Sequence, residues 1–143
     1  MYPNFALVLL INASNEVLLV RRINTPFCNN CYALPGGKIE YGETATQAVV
    51  REALKSLSIV VQQEDLELMH TMYRKCNEPE FFSCTFKINS WNGDLRNNEP
   101  ERHDDMRWFP LSALPSTMVP AHRQAIELIL KNVNYSEHGW HKP

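Results

Sequence analysis

Seven apolar residues in a row, Phe5-Ala-Leu-Val-Leu-Leu-Ile11, begin the pattern. An uninterrupted run of this length predicts a strand covered on both faces. Asn12-Ala-Ser-Asn15 carries turn chemistry, and residues 16–22 return as a second strand. Residues 23–30, polar with one proline, predict a loop, and residues 31–34 a short strand ending at Pro35. Further along, residues 66–73 and 80–89 predict a strand pair. Asn92-Gly93-Asp94 predicts a turn, and residues 105–109 a strand closed by Pro110.

Between these strands the period changes to helical. Thr44 and Gln47 form a T-x-x-Q capping box, and neither Pro nor Gly interrupts the chain until well past Leu57. Val50, Ala53, Leu54 and Leu57 share one face and are expected to pack inward, while Glu52, Lys55 and Ser56 fall together on another. Pro120 opens a second helix over residues 121–132, with Ile126, Ile129, Leu130 and Val133 as its apolar stripe. Strands on both sides of a central helix, with a second helix near the end, predict an α/β sandwich: a mixed sheet between helices. We expect one domain over residues 1–143, with residues 134–143 as a C-terminal tail.

Composition narrows the partners. A chain of 143 residues, 44% hydrophobic and 21% charged, builds one ordinary globular core. Its formal charge of -2 leaves no basic footprint for a nucleic-acid polymer, yet a nucleotide needs only a local positive pocket. The first apolar run is too short to cross a bilayer and lacks the basic flank of a signal peptide, so a cytoplasmic protein without membrane contact is expected. Cys28 and Cys31 form a C-x-x-C pair with no second such pair; ordinary reduced thiols are the expectation over structural zinc.

The chemistry concentrates between Gly36 and Ile59. Gly36 and Gly37 let the backbone approach a ligand closely, and the helix that follows carries carboxylates, an arrangement suited to a divalent cation and a diphosphate. Gly37, Glu43, Arg51, Glu52 and Ile59 stand in register with a pattern of Gly, five residues, Glu, seven residues, Arg-Glu-apolar-any-Glu-Glu-any-Gly-apolar. In these residues the chain resembles the Nudix hydrolases, whose signature box this is. Leu34-Pro35-Gly36-Gly37-Lys38-Ile39-Glu40 and, later, Asn98-Glu99-Pro100 with Arg107-Trp108-Phe109-Pro110-Leu111 extend the likeness over most of the chain. Three positions depart from it: Lys55 and Ser56 replace the paired Glu, and Ser58 replaces Gly.

The resemblance implies a Nudix-type α/β/α sandwich and a magnesium- or manganese-dependent hydrolase of diphosphate linkages. It makes Glu52 the retained metal ligand or base, Glu99 a further ligand or the general base with Glu101 second, and the carbonyl of Gly37 or Gly36 a backbone ligand. Arg51 would orient Glu43 or Glu52, with Gly36, Gly37 and Lys38 beside the substrate phosphates. Apart from the resemblance, Arg21 and Arg22 close the second strand, and by alternation one of them faces the cleft side, where it would meet phosphate, or stays an exposed edge charge; Arg22 is the better candidate. Glu43 and Arg51 fit equally well as a structural ion pair that a dead enzyme would keep. The exchange of two Glu for Lys and Ser changes local charge by about three units, against a dication cluster, and Lys55, three residues after Glu52, is placed to pair with it.

Two functions follow. The first is a hydrolase of a nucleoside diphosphate derivative or nucleotide, weakened by the missing ligands. The second is an inactive Nudix domain that binds a nucleotide or phosphorylated metabolite. The family likeness also brings a homodimer into view. Tyr32, Tyr41, Tyr73 and Phe82 are expected in the core before they are expected on a base, and the five histidines show no metal-ligand spacing.

Overall fold

The computed structural model describes residues 3–76 and 79–140. Strand β1 (Phe5–Leu9) returns through the Asn12–Asn15 turn into β2 (Glu16–Arg22), followed by the short β3 (Tyr32–Ala33) and β4 (Gly36–Lys38). Helix α1 (Ala45–Leu57) precedes β5 (Leu66–Arg74), β6 (Phe81–Ile88) and β7 (His103–Pro110). Helix α2 (Pro120–Ile129) and β8 (Tyr135–His138) close the described chain.

The strands form a five-stranded sheet in the order β4-β1-β6-β5-β8 and a three-stranded sheet in the order β3-β2-β7. In the larger sheet β1 runs antiparallel to β4 and parallel to β6, and β5 runs antiparallel to β6 and parallel to β8. The expected mixed sheet between helices is therefore present. Strand β1 explains its own unbroken apolar run: Ala6 and Val8 pack with Ala48, Val49, Ala53 and Leu57 of α1, whereas Leu7 and Leu9 pack with Ile126 and Ile129 of α2. Alternate side chains thus meet a helix on each face, and no position is left for a polar residue.

Several expectations are corrected in detail. The glycine segment is a strand rather than an open loop: Gly36 pairs with Leu7 and Gly37 with Ala6. At Gly36, φ is +146° and a Cβ would stand 2.3 Å from the Ala6 carbonyl oxygen, so only glycine fits against β1. The inward face of α1 is Ala48, Val49, Glu52, Ala53, Ser56 and Leu57; Leu54 is 55% exposed and Val50 half-buried. The buried stripe of α2 is Ala121, His122, Ala125, Ile126 and Ile129, while Leu130 and Val133 lie outside the helix and exposed. In both helices the true face is rotated toward polar residues that the sheet buries, which an apolar-periodicity reading passes over. Residues 135–138, read as tail, add a parallel edge strand to β5.

The helix ends follow local chemistry. Thr44 accepts from the Gln47 backbone N–H while Gln47 accepts from Thr44, the full capping box. At the other end Ser58 adopts the left-handed conformation (φ +63°) that the glycine of the pattern would take, and its N–H still reaches Ala53 and Leu54.

Candidate active site

Helix α1 presents Glu52 and Ser56 one turn apart on its buried side, and Glu52 lines a cleft of about 820 Å³. Arg51 holds the surrounding carboxylates in place. Its Nε donates to Glu43 at 2.8 Å, its Nη1 to Glu52 Oε1 at 2.7 Å, and its Nη2 to the Lys38 carbonyl at 2.8 Å. One guanidinium therefore ties the β4 segment, the following turn and the helix together, orienting both Glu43 and Glu52 where the sequence left the choice open. Beside Arg51, the Glu43 carboxyl is held below the usual carboxylate range. Gly37 completes this wall: a Cβ there would stand 2.7 Å from Glu52 Oε1, so the carboxylate lies directly on its backbone.

Glu99 arrives from the far side by a backbone route. The last carbonyls of α1 lack intrahelical partners, and the segment after the Asn92-Gly93 turn supplies them: Arg96 N–H donates to Leu57 and Asn98 N–H to Ser56, at 2.9 and 3.0 Å. That docking delivers Glu99, 7% exposed, to the Ser56 hydroxyl at 2.6 Å, while Glu52 Oε2 lies 3.1 Å from the same oxygen. Burial acts to raise the Glu99 carboxyl, but the Ser56 hydrogen bond and the charges of Arg102 and Lys55 outweigh it and hold Glu99 below the usual range. Glu101 is exposed, and its backbone rather than its carboxylate is engaged, by Asn24.

Lys55 does not pair with Glu52 as its spacing suggested. Its ammonium lies 3.9 Å from Glu99, as Arg102 lies 3.5 Å from the same carboxylate. Three carboxylates, Glu43, Glu52 and Glu99, thus face three cations, Arg51, Lys55 and Arg102. Among the described residues no group of three or more His, Cys, Asp or Glu side chains is placed to hold a metal ion.

Proton counting tests whether a dication fits. The Ser56 hydroxyl carries one hydrogen and stands beside two carboxylate oxygens. The 2.6 Å contact has the length of a charge-assisted O–H···O⁻ bond, so Ser56 donates to Glu99 and leaves Glu52 Oε2 facing an oxygen lone pair. A buried carboxylate oxygen without a donor suits a hard cation, and two carboxylates suit one magnesium, which keeps waters and takes further oxygens from substrate. The residues fit a single dication and not a cluster.

The cleft also gathers residues that the sequence reading passed over. Arg22 lines it as expected, brought inward by a register shift between Arg21 and Arg22, while Arg21 points out to Asp104 at 2.7 Å. Arg74, Arg102, His103 and His122 line it too. Only Arg102, three residues after Glu99, had a signal in the sequence; the others end strands or begin a helix at positions that pattern alone reads as structural.

This fold and this box have known counterparts. The NUDIX domain model matches residues 1–129, and the chain belongs to that family. An ADP-ribose pyrophosphatase of Methanocaldococcus jannaschii is 30% identical over 115 residues, covering 80% of this chain and 66% of that protein. The 8-oxo-dGTP diphosphatase of Escherichia coli is 44% identical over 55 residues, covering 38% of this chain and 43% of that one. The crystal structure of a MutT NUDIX hydrolase from Burkholderia pseudomallei matches with a TM-score of 0.79 and 27% identity, over 87% of this chain and 95% of that one. The matches span 66%, 34% and 43% of the first three curated relatives, about two thirds of their length or less.

Proposed function

We propose that this chain is a divalent-metal-dependent hydrolase of a diphosphate linkage in a nucleoside diphosphate derivative or nucleotide, working with a reduced ligand set. The observation that carries the reading is the convergence of Glu52 and Glu99 on one Ser56 hydroxyl, with Arg51 fixing Glu52 beside Gly37. Family membership and the names of the relatives, a pyrophosphatase and a diphosphatase, support the reaction type.

Glu52, Glu99 and the Gly37 carbonyl would hold one magnesium or manganese ion, which when bound supplies positive charge to the phosphoryl oxygens. The chain's own residues do the rest. Arg51 keeps Glu52 aimed, Arg22 and Lys38 bind and orient the phosphates, and Glu99, held below the usual carboxylate range, accepts the proton of the attacking water. Lys55 and Arg102, beside Glu99, add positive charge that a magnesium pair would otherwise bring. The setting is the cytoplasm, in keeping with the lack, among the described residues, of any helix long and apolar enough to cross a membrane.

The second reading, a ligand-binding domain without turnover, is favoured by one observation: the three carboxylates are already neutralised by three side-chain cations. Product release from a panel of nucleoside triphosphates, nucleotide sugars, ADP-ribose and dinucleotides, with magnesium and with manganese, decides between the two. Metal-dependent turnover that falls at least about 100-fold in Glu52→Gln is the expected result. No turnover on any compound, with activity appearing in Lys55→Glu/Ser56→Glu, would leave the binding reading.

A further inference from the structure

Beyond the carboxylates the cleft continues to a floor whose charge is unbalanced. Arg74, the last residue of β5, is only 7% exposed, and Arg22 is half-buried. Among the described residues the Nε–H of each is buried without a hydrogen-bond partner. Arg22 retains one bond, from Nη2 to Thr25 at 3.3 Å, and Arg74 rests on the Phe81 ring at 4.9 Å. Among the described residues neither guanidinium has a carboxylate within ion-pair distance. The cation nearest in effect to Arg74 is Arg22, with Cys76 and Cys28 beside it.

This is costly as it stands. An unpaired buried cation loses its hydration without a compensating partner, and two near each other add repulsion. Around the carboxylates the opposite holds, since Arg51, Lys55 and Arg102 are all matched by them. The buried, unmatched positive charge of the cleft therefore lies at Arg22 and Arg74. His122 adds a donor on the same floor. The Leu34 N–H donates to its Nδ1 at 3.0 Å, which places the ring hydrogen on Nε2, and that N–H has no partner among the described residues. Arg22, Arg74 and His122, whose free side-chain hydrogens are all donors, line one space together with Phe27 and Phe81. Such a set admits no cation and matches the oxygens of a phosphate or a carboxylate.

We propose that Arg74, Arg22 and the His122 Nε2–H form an anion-binding subsite on the floor of the cleft, which takes a phosphate or carboxylate group of the ligand. The inference rests on the proposed function only for the nature of that ligand, a phosphorylated metabolite. Its anionic group has two possible sources, the diphosphate itself or a separate acidic substituent, and both would be bound by the same chemistry.

The test is a titration of the metal-free, ¹⁵N-labelled full chain with inorganic phosphate, following the arginine Nε–H signals by NMR, with Arg22→Lys and Arg74→Lys for assignment. We expect the Arg22 and Arg74 signals to shift together and saturate with one affinity, and Arg74→Met to weaken phosphate at least about tenfold. Phosphate should also raise the Tm of the natural chain and not that of Arg74→Met, whose own Tm without phosphate should be higher because an unpaired buried charge is gone. Signals unmoved by phosphate, or an affinity unchanged in Arg74→Met, would overturn the subsite. The arms with ADP separate the sources: ADP moving Arg74 assigns the floor to the diphosphate, and ADP binding that leaves Arg74 unmoved assigns it to a further acidic group. Failure of turnover in the hydrolysis panel leaves this titration unaffected, and failure of the titration leaves turnover unaffected.

Discussion

At the scale of single residues, the site is decided by hydrogen-bond valence more than by residue type. Ser56 illustrates it: a hydroxyl in place of a carboxylate bridges Glu52 and Glu99 with a single hydrogen. Putting the carboxylate back would bury a third negative charge there. Ser56→Glu should therefore lower Tm in chelator and regain it in millimolar magnesium, a ligand-linked recovery that differential scanning calorimetry reads directly. A Tm insensitive to magnesium would show that the pocket does not accept the ion. His122 gives a second prediction. Burial first, then the charges of Arg74, Arg22 and His138, push its pKa down to about 3. The folded chain keeps His122 neutral, whereas the unfolded chain protonates it near 6.5. The unfolded state thus binds more protons, so this stability is present above about pH 6.5 and is lost as pH falls toward 3, by roughly 1.4 kcal/mol per pH unit. His122→Asn keeps an acceptor for the Leu34 N–H and removes the titration. Urea midpoints from pH 7 to 4 should fall less steeply in that variant.

At the scale of elements, α1 is a helix whose two ends do different work. The capping box at Thr44 is local and complete, and Thr44→Ala should cost about 1 kcal/mol in chemical denaturation. The Ser58 end holds an L-residue at φ +63°. Ser58→Gly should stabilise by roughly 1 kcal/mol without affecting metal or ligand binding, since Ser58 holds the helix end and touches no carboxylate. Strand β4 is constrained from both sides. Gly37→Ala would set a methyl 2.7 Å from the Glu52 carboxylate. It should reduce turnover at least about tenfold at nearly unchanged Tm, because the carboxylate end moves more easily than the sheet. A large fall in Tm with turnover preserved would contradict that account.

At the scale of the whole molecule, the two sheets bring together residues that are far apart in sequence. Glu52 and Glu99 meet because the segment after β6 caps the C-terminal carbonyls of α1. Arg22 and Arg74 meet because β2 and β5 end at the same cleft. Sequence patterning located six of the eight described strands, missing β4 and β8, since alternation and turn residues are local signals: β2 was read at its observed bounds, and β5, β6 and β7 to within two residues at either end. It misplaced the inward faces of both helices by counting only apolar residues, when Glu52, Ser56 and His122 are among those the fold buries.

The sequence by itself determined the family, the capping of α1, the apolar strand that the helices cover, and the grouping of Glu43, Arg51 and Glu52. All of these depend on neighbours within a few turns of chain. The tertiary structure alone decided that Lys55 pairs with Glu99 rather than Glu52, that Ser56 bridges two carboxylates, and that Arg22 and Arg74 share a floor with no counter-charge among the described residues. The physical reason is the range of the forces involved. Backbone preference and apolar periodicity act along the chain. Charge pairing and desolvation act through space, and the partner that completes each interaction here comes from a different element.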